Sequence, residues 1–155
     1  MRWPMTILLF ISFFRGYCQA DVIPAKLCNL DEGLAIKGYD PVAYFKEGRA
    51  VRGKKEFSLS DHGVNYHFAS SADLQLFQAN PLKYRPQYGG WCAYAMGHDG
   101  SKVEVDPETF KILNGQLFLF YNRFFDNTLK SWNQDEARLH SRADTNWQKI
   151  VNQSL

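Results

Sequence analysis

The dipeptide Asn114-Gly115 constrains this chain more than any other feature. A two-residue hairpin loop needs backbone that favours positive φ, and Asn-Gly adopts it with the least strain. It stands between residues 110–113 and 116–121, both rich in Phe, Leu and Ile, and so predicts an antiparallel hairpin. Leu117, Phe118, Leu119 and Phe120 are apolar at consecutive positions, which predicts a central strand covered on both faces. A second hairpin is predicted upstream. Phe57 and Leu59 alternate with serines, Asp61-His62-Gly63 supplies turn residues, and Val64, Tyr66 and Phe68 alternate with Asn65, His67 and Ala69.

Helical signals flank these strands. Asp40-Pro41 suits an N-cap followed by a first helical residue, and Gly48 marks the end of that helical turn. Ser70-Ser71-Ala72-Asp73 has the spacing of a capping box, with Leu74 and Phe77 on one face and Asn80-Pro81 as the stop. Residues 127–151 read as one helix, because Leu139, Ala143, Trp147 and Ile150 form a stripe at helical spacing. The expected fold is a small single α+β domain, with two hairpins forming an antiparallel sheet covered by a short helix and a C-terminal helix.

Residues 1–20 are set apart by composition. Arg2 precedes a mostly apolar run from Met5 to Phe14, and Cys18-Gln19-Ala20 resembles a signal-peptidase site, so cleavage after Ala20 and a secreted product are expected. That run is shorter than the roughly 20 residues of a membrane span, and no later segment qualifies. Removing residues 1–20 takes Arg2 and Arg15 but no acidic residue, leaving 16 basic side chains against 16 acidic ones. A nucleic-acid partner, which needs a strongly basic face, loses its simplest support.

Cys18 would leave with that segment, so Cys28 and Cys92 would remain. An even pair in an oxidising compartment reads as a disulfide, worth about 4 kcal/mol on loop-entropy grounds. Free thiols or a metal ligand are the alternatives, and a bridged sulfur cannot also be a ligand.

Three stretches together resemble a known family. They are Gly38-Tyr39-Asp40-Pro41-Val42-Ala43-Tyr44-Phe45, then Tyr66-His67-Phe68-Ala69-Ser70 running on to Asn80-Pro81 and Tyr84, and Gln87-Tyr88-Gly89-Gly90-Trp91-Cys92-Ala93. Their order and spacing are similar to the longer, exported proteins with a YHS domain. The resemblance implies a lead-in over residues 21–34 and a YHS-type domain over residues 35–151, with its core at 38–84 and a family extension at 85–151. It also implies a fold distantly like treble-clef zinc modules, and metal binding. The family's metal-site cysteines fall at positions that here read Ala43, Ala69 and Asp73, so most of that site is missing from this chain.

Other donors remain. Cys92 follows a Gly-Gly turn in an aromatic setting, His67 projects from the strand face opposite Tyr66 and Phe68, and His98 lies in a Gly-rich turn soon after Cys92. Thiolate and imidazole suit copper or zinc, so Cys92, His67 and His98 are the candidate metal ligands. His62 and His140 are expected to be solvated. No Gly-x-Ser-x-Gly elbow, phosphate-binding loop or Cys-x-x-Cys is present, and a non-enzymatic role is expected. A Cys92 nucleophile assisted by His98 or His67 would be the enzymatic alternative.

Two functional expectations follow. One is a secreted transition-metal binder. The other is a disulfide-stapled extracellular module, bridged through Cys28 and Cys92, that engages a protein partner or small ligand without metal. Five tyrosines at loops or element ends, Tyr39, Tyr44, Tyr84, Tyr88 and Tyr94, are expected to form a core belt with their hydroxyls reaching loop backbone.

Overall fold

The computed structural model describes residues 22–154; the expected signal segment and its cleavage point lie outside them. The chain forms an α+β domain with a mixed four-stranded sheet, two hairpins and several helices, the longest at the C-terminus.

The upstream hairpin forms as expected, with β3 (Lys54–Asp61) and β4 (Val64–Phe68) joined by His62 and Gly63, both at positive φ. The lead-in is more ordered than its sequence suggests. Two short strands, β1 (Leu30–Asp31) and β2 (Leu34–Ala35), extend the sheet in the order β1-β2-β4-β3, and β2 runs parallel to β4 through Leu34 and Asn65. The sheet is therefore mixed, because strand β2 is supplied by a segment too short and irregular to show alternation.

Helix α1 (Ala43–Lys46) begins later than its capping signal, since Asp40 caps a preceding turn by accepting hydrogen bonds from the amides of Val42 and Ala43. Helix α2 (Ser71–Ala79) is capped as expected: the Ser70 hydroxyl accepts from the Asp73 amide at 3.2 Å. Asn80 then caps a further turn, α3 (Pro81–Tyr84). The apolar run after the Gly-Gly turn becomes α4 (Ala93–His98).

The downstream hairpin pairs β5 (Asp106–Leu113) with β6 (Gln116–Phe120) around Asn114 and Gly115, both at positive φ. It is a separate two-stranded sheet, which corrects the expectation of one antiparallel sheet from both hairpins. Strand β6 is buried on both faces without being central. Its period of two sends Leu117 and Leu119 into a core with Tyr66, Phe68 and Phe77, and Phe118 and Phe120 into another with Met96, Trp132 and Trp147. One strand thus divides two cores, with β5 along one edge and a single bridge to Pro86.

The expected long helix is two helices. A small hairpin, β7 (Asn122–Arg123) and β8 (Asp126–Asn127), leads into α5 (Thr128–Gln134), and α6 (Glu136–Asn152) follows after a break at Asp135. Asn127 caps α5 through the Leu129 amide, and Leu139, Ala143 and Trp147 are buried as the stripe requires. Helices α4 and α6 approach so closely that a Cβ on Gly97 would lie 2.4 Å from the Leu139 carbonyl oxygen. Since that obstacle is backbone, the helices must separate to admit a methyl group. Gly97→Ala should destabilise the domain by about 1–3 kcal/mol despite alanine's better helix propensity, read as a lowered urea midpoint.

Candidate functional site

The lead-in closes over the upstream hairpin and leaves a cleft beneath it. Ile23, Leu30, Ile36, Val64 and Pro86 supply apolar walls, and Cys28, Tyr66, Arg85, Asp61 and His62 supply polar atoms. The inner chamber is about 40 Å³, and with its mouth the cleft reaches about 480 Å³. A water needs roughly 10–15 Å³ of such inner space, so the chamber takes a few water-sized groups, and the larger figure includes space open to solvent.

Each polar group has a local reason for its position. Arg85 follows the last turn of α3 in extended backbone, so its side chain turns back toward the β3–β4 loop. There its Nε donates to Asp61 Oδ2 at 3.1 Å, its Nη2 reaches the same oxygen, and Nη2 lies 3.4 Å from His62 Nδ1. Burial pushes the Asp61 carboxyl upward, but hydrogen bonds from Arg85 and His62 outweigh it and hold the group below the usual carboxylate range. The guanidinium charge is thereby balanced inside the cleft.

Tyr66 alternates inward on β4 and is only 4% exposed. It lines the cleft with the Arg85 guanidinium as its polar neighbour. Burial raises its pKa above the ordinary phenol value against the opposing charge of Arg85, so the group is a neutral donor. Cys28 is half-buried, with its Sγ 3.8 Å from the Pro24 carbonyl oxygen. Burial likewise pushes its thiol up, with Arg85 and Lys102 opposing, which disfavours a reactive thiolate.

The donors expected for a metal are only partly assembled. Cys92 and His98 border one cleft of about 300 Å³ with Tyr121, Asp126 and Thr128, whereas His67 lines a different surface groove with Asp31, Lys55 and Asn65. Cys92 is fully buried: its Sγ accepts from the Tyr121 amide at 3.3 Å and lies 3.4 Å from Thr128 Oγ1. His98 is exposed and stacks on Tyr94 at 5.6 Å between ring centroids. No group of three or more His, Cys, Asp or Glu side chains among the described residues is arranged to hold a metal ion. Cys28 and Cys92 are both free thiols, and the expected bridge is not formed in this structure. His62 is exposed as expected, but His140 is half-buried, its ring edge-on to Phe118 at 5.2 Å.

Ala43, Ala69 and Asp73 lie together around a residue that the sequence offered only as a helix cap. Asp40 is fully buried, and its Oδ1 accepts from the amides of Val42 and Ala43 at 2.7 and 3.4 Å. Its Oδ2 accepts from the Ala69 amide at 2.7 Å. Asp73 stands beside it, bound to Lys46 Nζ at 2.6 Å. A carboxylate tied to backbone amides, rather than a thiolate cluster, joins the start of α1 to the end of β4.

The sequence reading did not single out Tyr66 and Arg85 as candidate site residues. The signal for Arg85 was a cation within an otherwise uncharged stretch of Tyr, Pro and Gly; Tyr66 had none, because alternation marks every inward strand residue alike. Among known proteins, no family model, curated protein or solved structure matches the chain.

Proposed function

We propose that this chain is a secreted, non-enzymatic ligand-binding module of the exported YHS type, distantly treble-clef-like, and that its site is the cleft between the lead-in and the β3–β4 hairpin. The observation that supports this reading is the enclosed chamber between the lead-in and the hairpin, where Tyr66, Cys28 and Arg85 place polar groups among the apolar walls of Ile23, Ile36 and Val64. An acceptor on the ligand would take a hydrogen bond from the Tyr66 hydroxyl, a neutral donor at this wall, worth about 1 kcal/mol net. The balanced Arg85–Asp61 pair disfavours a strongly charged ligand, and the walls are aliphatic. The favoured class is a small, mainly apolar molecule carrying one neutral acceptor such as a carbonyl or ether oxygen.

Titration of isotope-labelled protein with small apolar carbonyl compounds, followed by two-dimensional amide NMR, should shift the amides of Cys28, Tyr66, Gly89 and Gly90 together. Tyr66→Phe should weaken such a compound about tenfold, in line with the loss of one hydrogen bond. If folded protein shows no compound-dependent shift at those amides, the reading fails. Stoichiometric copper or zinc in protein collected from its secretory route would favour the metal-binding reading instead.

A further inference from the structure

The β7–β8 hairpin ends in Phe124 and Phe125, which are 95% and 107% exposed, as open as in an extended peptide. Other large apolar side chains among the described residues are far less exposed. Phe124 also has φ of +56°, a left-handed conformation that costs a residue with a Cβ about 1–2 kcal/mol. A two-residue hairpin loop is most easily made with Asn-Gly, the pair this chain uses between β5 and β6. Here both hydration and backbone preference oppose the residues present.

The tip is presented from a fixed base. Thr128 donates to the Tyr121 carbonyl oxygen through its amide at 3.0 Å and through its hydroxyl at 2.9 Å. Asn122 Nδ2 donates to Thr109 Oγ1 at 2.9 Å, and Asn127 caps α5. The two rings therefore project from an anchored turn.

Self-association through this tip alone is too small to hold. Four phenylalanine rings bury at most about 1,000 Å² in all, short of the roughly 1,200 Å² of a stable interface. Immediately behind the tip, Arg123 and Asp126 face each other across the strand register, both exposed and forming no salt bridge with each other. They present one cation and one anion at a single depth, complementary to the phosphate and ammonium of a zwitterionic headgroup. No helix among the described residues is long and apolar enough to cross a membrane, so such contact would be peripheral.

We infer that the β7–β8 tip is a membrane-contact element that inserts Phe124 and Phe125 into the headgroup–acyl boundary of a phosphatidylcholine surface. The rings supply the apolar anchor, and Arg123 and Asp126 sit among the headgroups. Binding through two side chains is weak and reversible, suited to concentrating the protein at a surface rather than fixing it there.

The test is flotation of the purified secreted chain with phosphatidylcholine vesicles, comparing it with the double variant Phe124→Gly and Phe125→Asn. The variant puts glycine where φ is positive, so its thermal midpoint should be equal or higher while its vesicle partitioning falls at least tenfold. In a second arm, Phe125→Trp should give an indole whose emission shifts to the blue on vesicle addition and is quenched by lipids brominated near the headgroup. An unshifted indole, no flotation, or equal flotation of parent and double variant overturns the inference. So does tip-dependent dimerisation in sedimentation without vesicle binding, or tip-dependent capture by a protein partner in its place.

Discussion

Asp40→Ala is expected to lower stability by roughly 3–5 kcal/mol, enough to leave much of the chain unfolded at physiological temperature. The aspartate is fully buried and accepts from the amides of Val42, Ala43 and Ala69. Alanine strands those donors in an interior where each unpaired one costs about 1–3 kcal/mol. It also leaves the turn before α1 without its cap and cuts the tie to the end of β4. Asp40→Asn keeps the shape but turns an amide group toward a backbone N–H, so an intermediate loss of about 2 kcal/mol is expected. Urea titrations of the three proteins at neutral pH give this order directly; a near-neutral Asp40→Ala would mean that the carboxylate does not join these elements.

The same residue sets a pH dependence. Burial, and the neighbouring Asp73 carboxylate, push Asp40 up to about 6, although the amides of Ala69 and Val42 pull it down. A carboxyl raised above its unfolded value of about 4 stabilises the native state most when protonated. Its contribution is full below about pH 4 and is lost as pH rises through about 6. Asp73 acts in the opposite sense: burial raises it, but hydrogen bonds from Lys46 and Ser70 hold it below the usual range, and its contribution is lost as pH falls. Between pH 4 and 6 the Asp40 contribution should therefore decline by about 2–3 kcal/mol, and Asp40→Asn should abolish that slope.

These residues mark where sequence stops being readable. Asn114-Gly115, the Ser70 cap and the Leu139 to Trp147 stripe are local, and each forms where its residues say, because turn and helix preferences act over a few positions. Tyr44 also behaves as expected, donating to the Pro107 carbonyl oxygen at 2.8 Å. Asp40 is different: its partner at Ala69 lies across the fold, and its role appears only when α1 and the end of β4 meet. The Tyr66–Arg85–Cys28 grouping has the same origin, since β4, the turn after α3 and the lead-in contribute one residue each. Of the expected Cys92, His67 and His98 set, two share a cleft and His67 lines another, because chemical suitability was legible and relative placement was not. The break at Asp135 was hidden because α5 and α6 both favour helix, and only the change of direction after Gln134 distinguishes two helices from one.

Trp132→Ala should rival the aspartate change, with an expected loss of about 3–5 kcal/mol. Trp132 is fully buried in the second core, its ring 5.5 Å from Phe120 and 5.9 Å from Phe118 between centroids. Alanine would leave a cavity between β6 and the helix pair, and collapse is restricted because β6 is held from its other face by the first core. Its Nε1 also donates to Glu136 Oε2 at 3.0 Å, joining α5 to the first turn of α6 across the break at Asp135. Trp132→Phe separates the two contributions. It keeps most of the ring contact and removes the donor, while Glu136, partly exposed, retains Lys111, so a loss of only about 1–2 kcal/mol is expected. If both variants lose the same amount, the Nε1 bond rather than packing holds the helices together; if Trp132→Ala is nearly silent, the second core is not a cooperative part of this domain. Chemical denaturation with an unchanged urea slope would show that the loss lies in the native state.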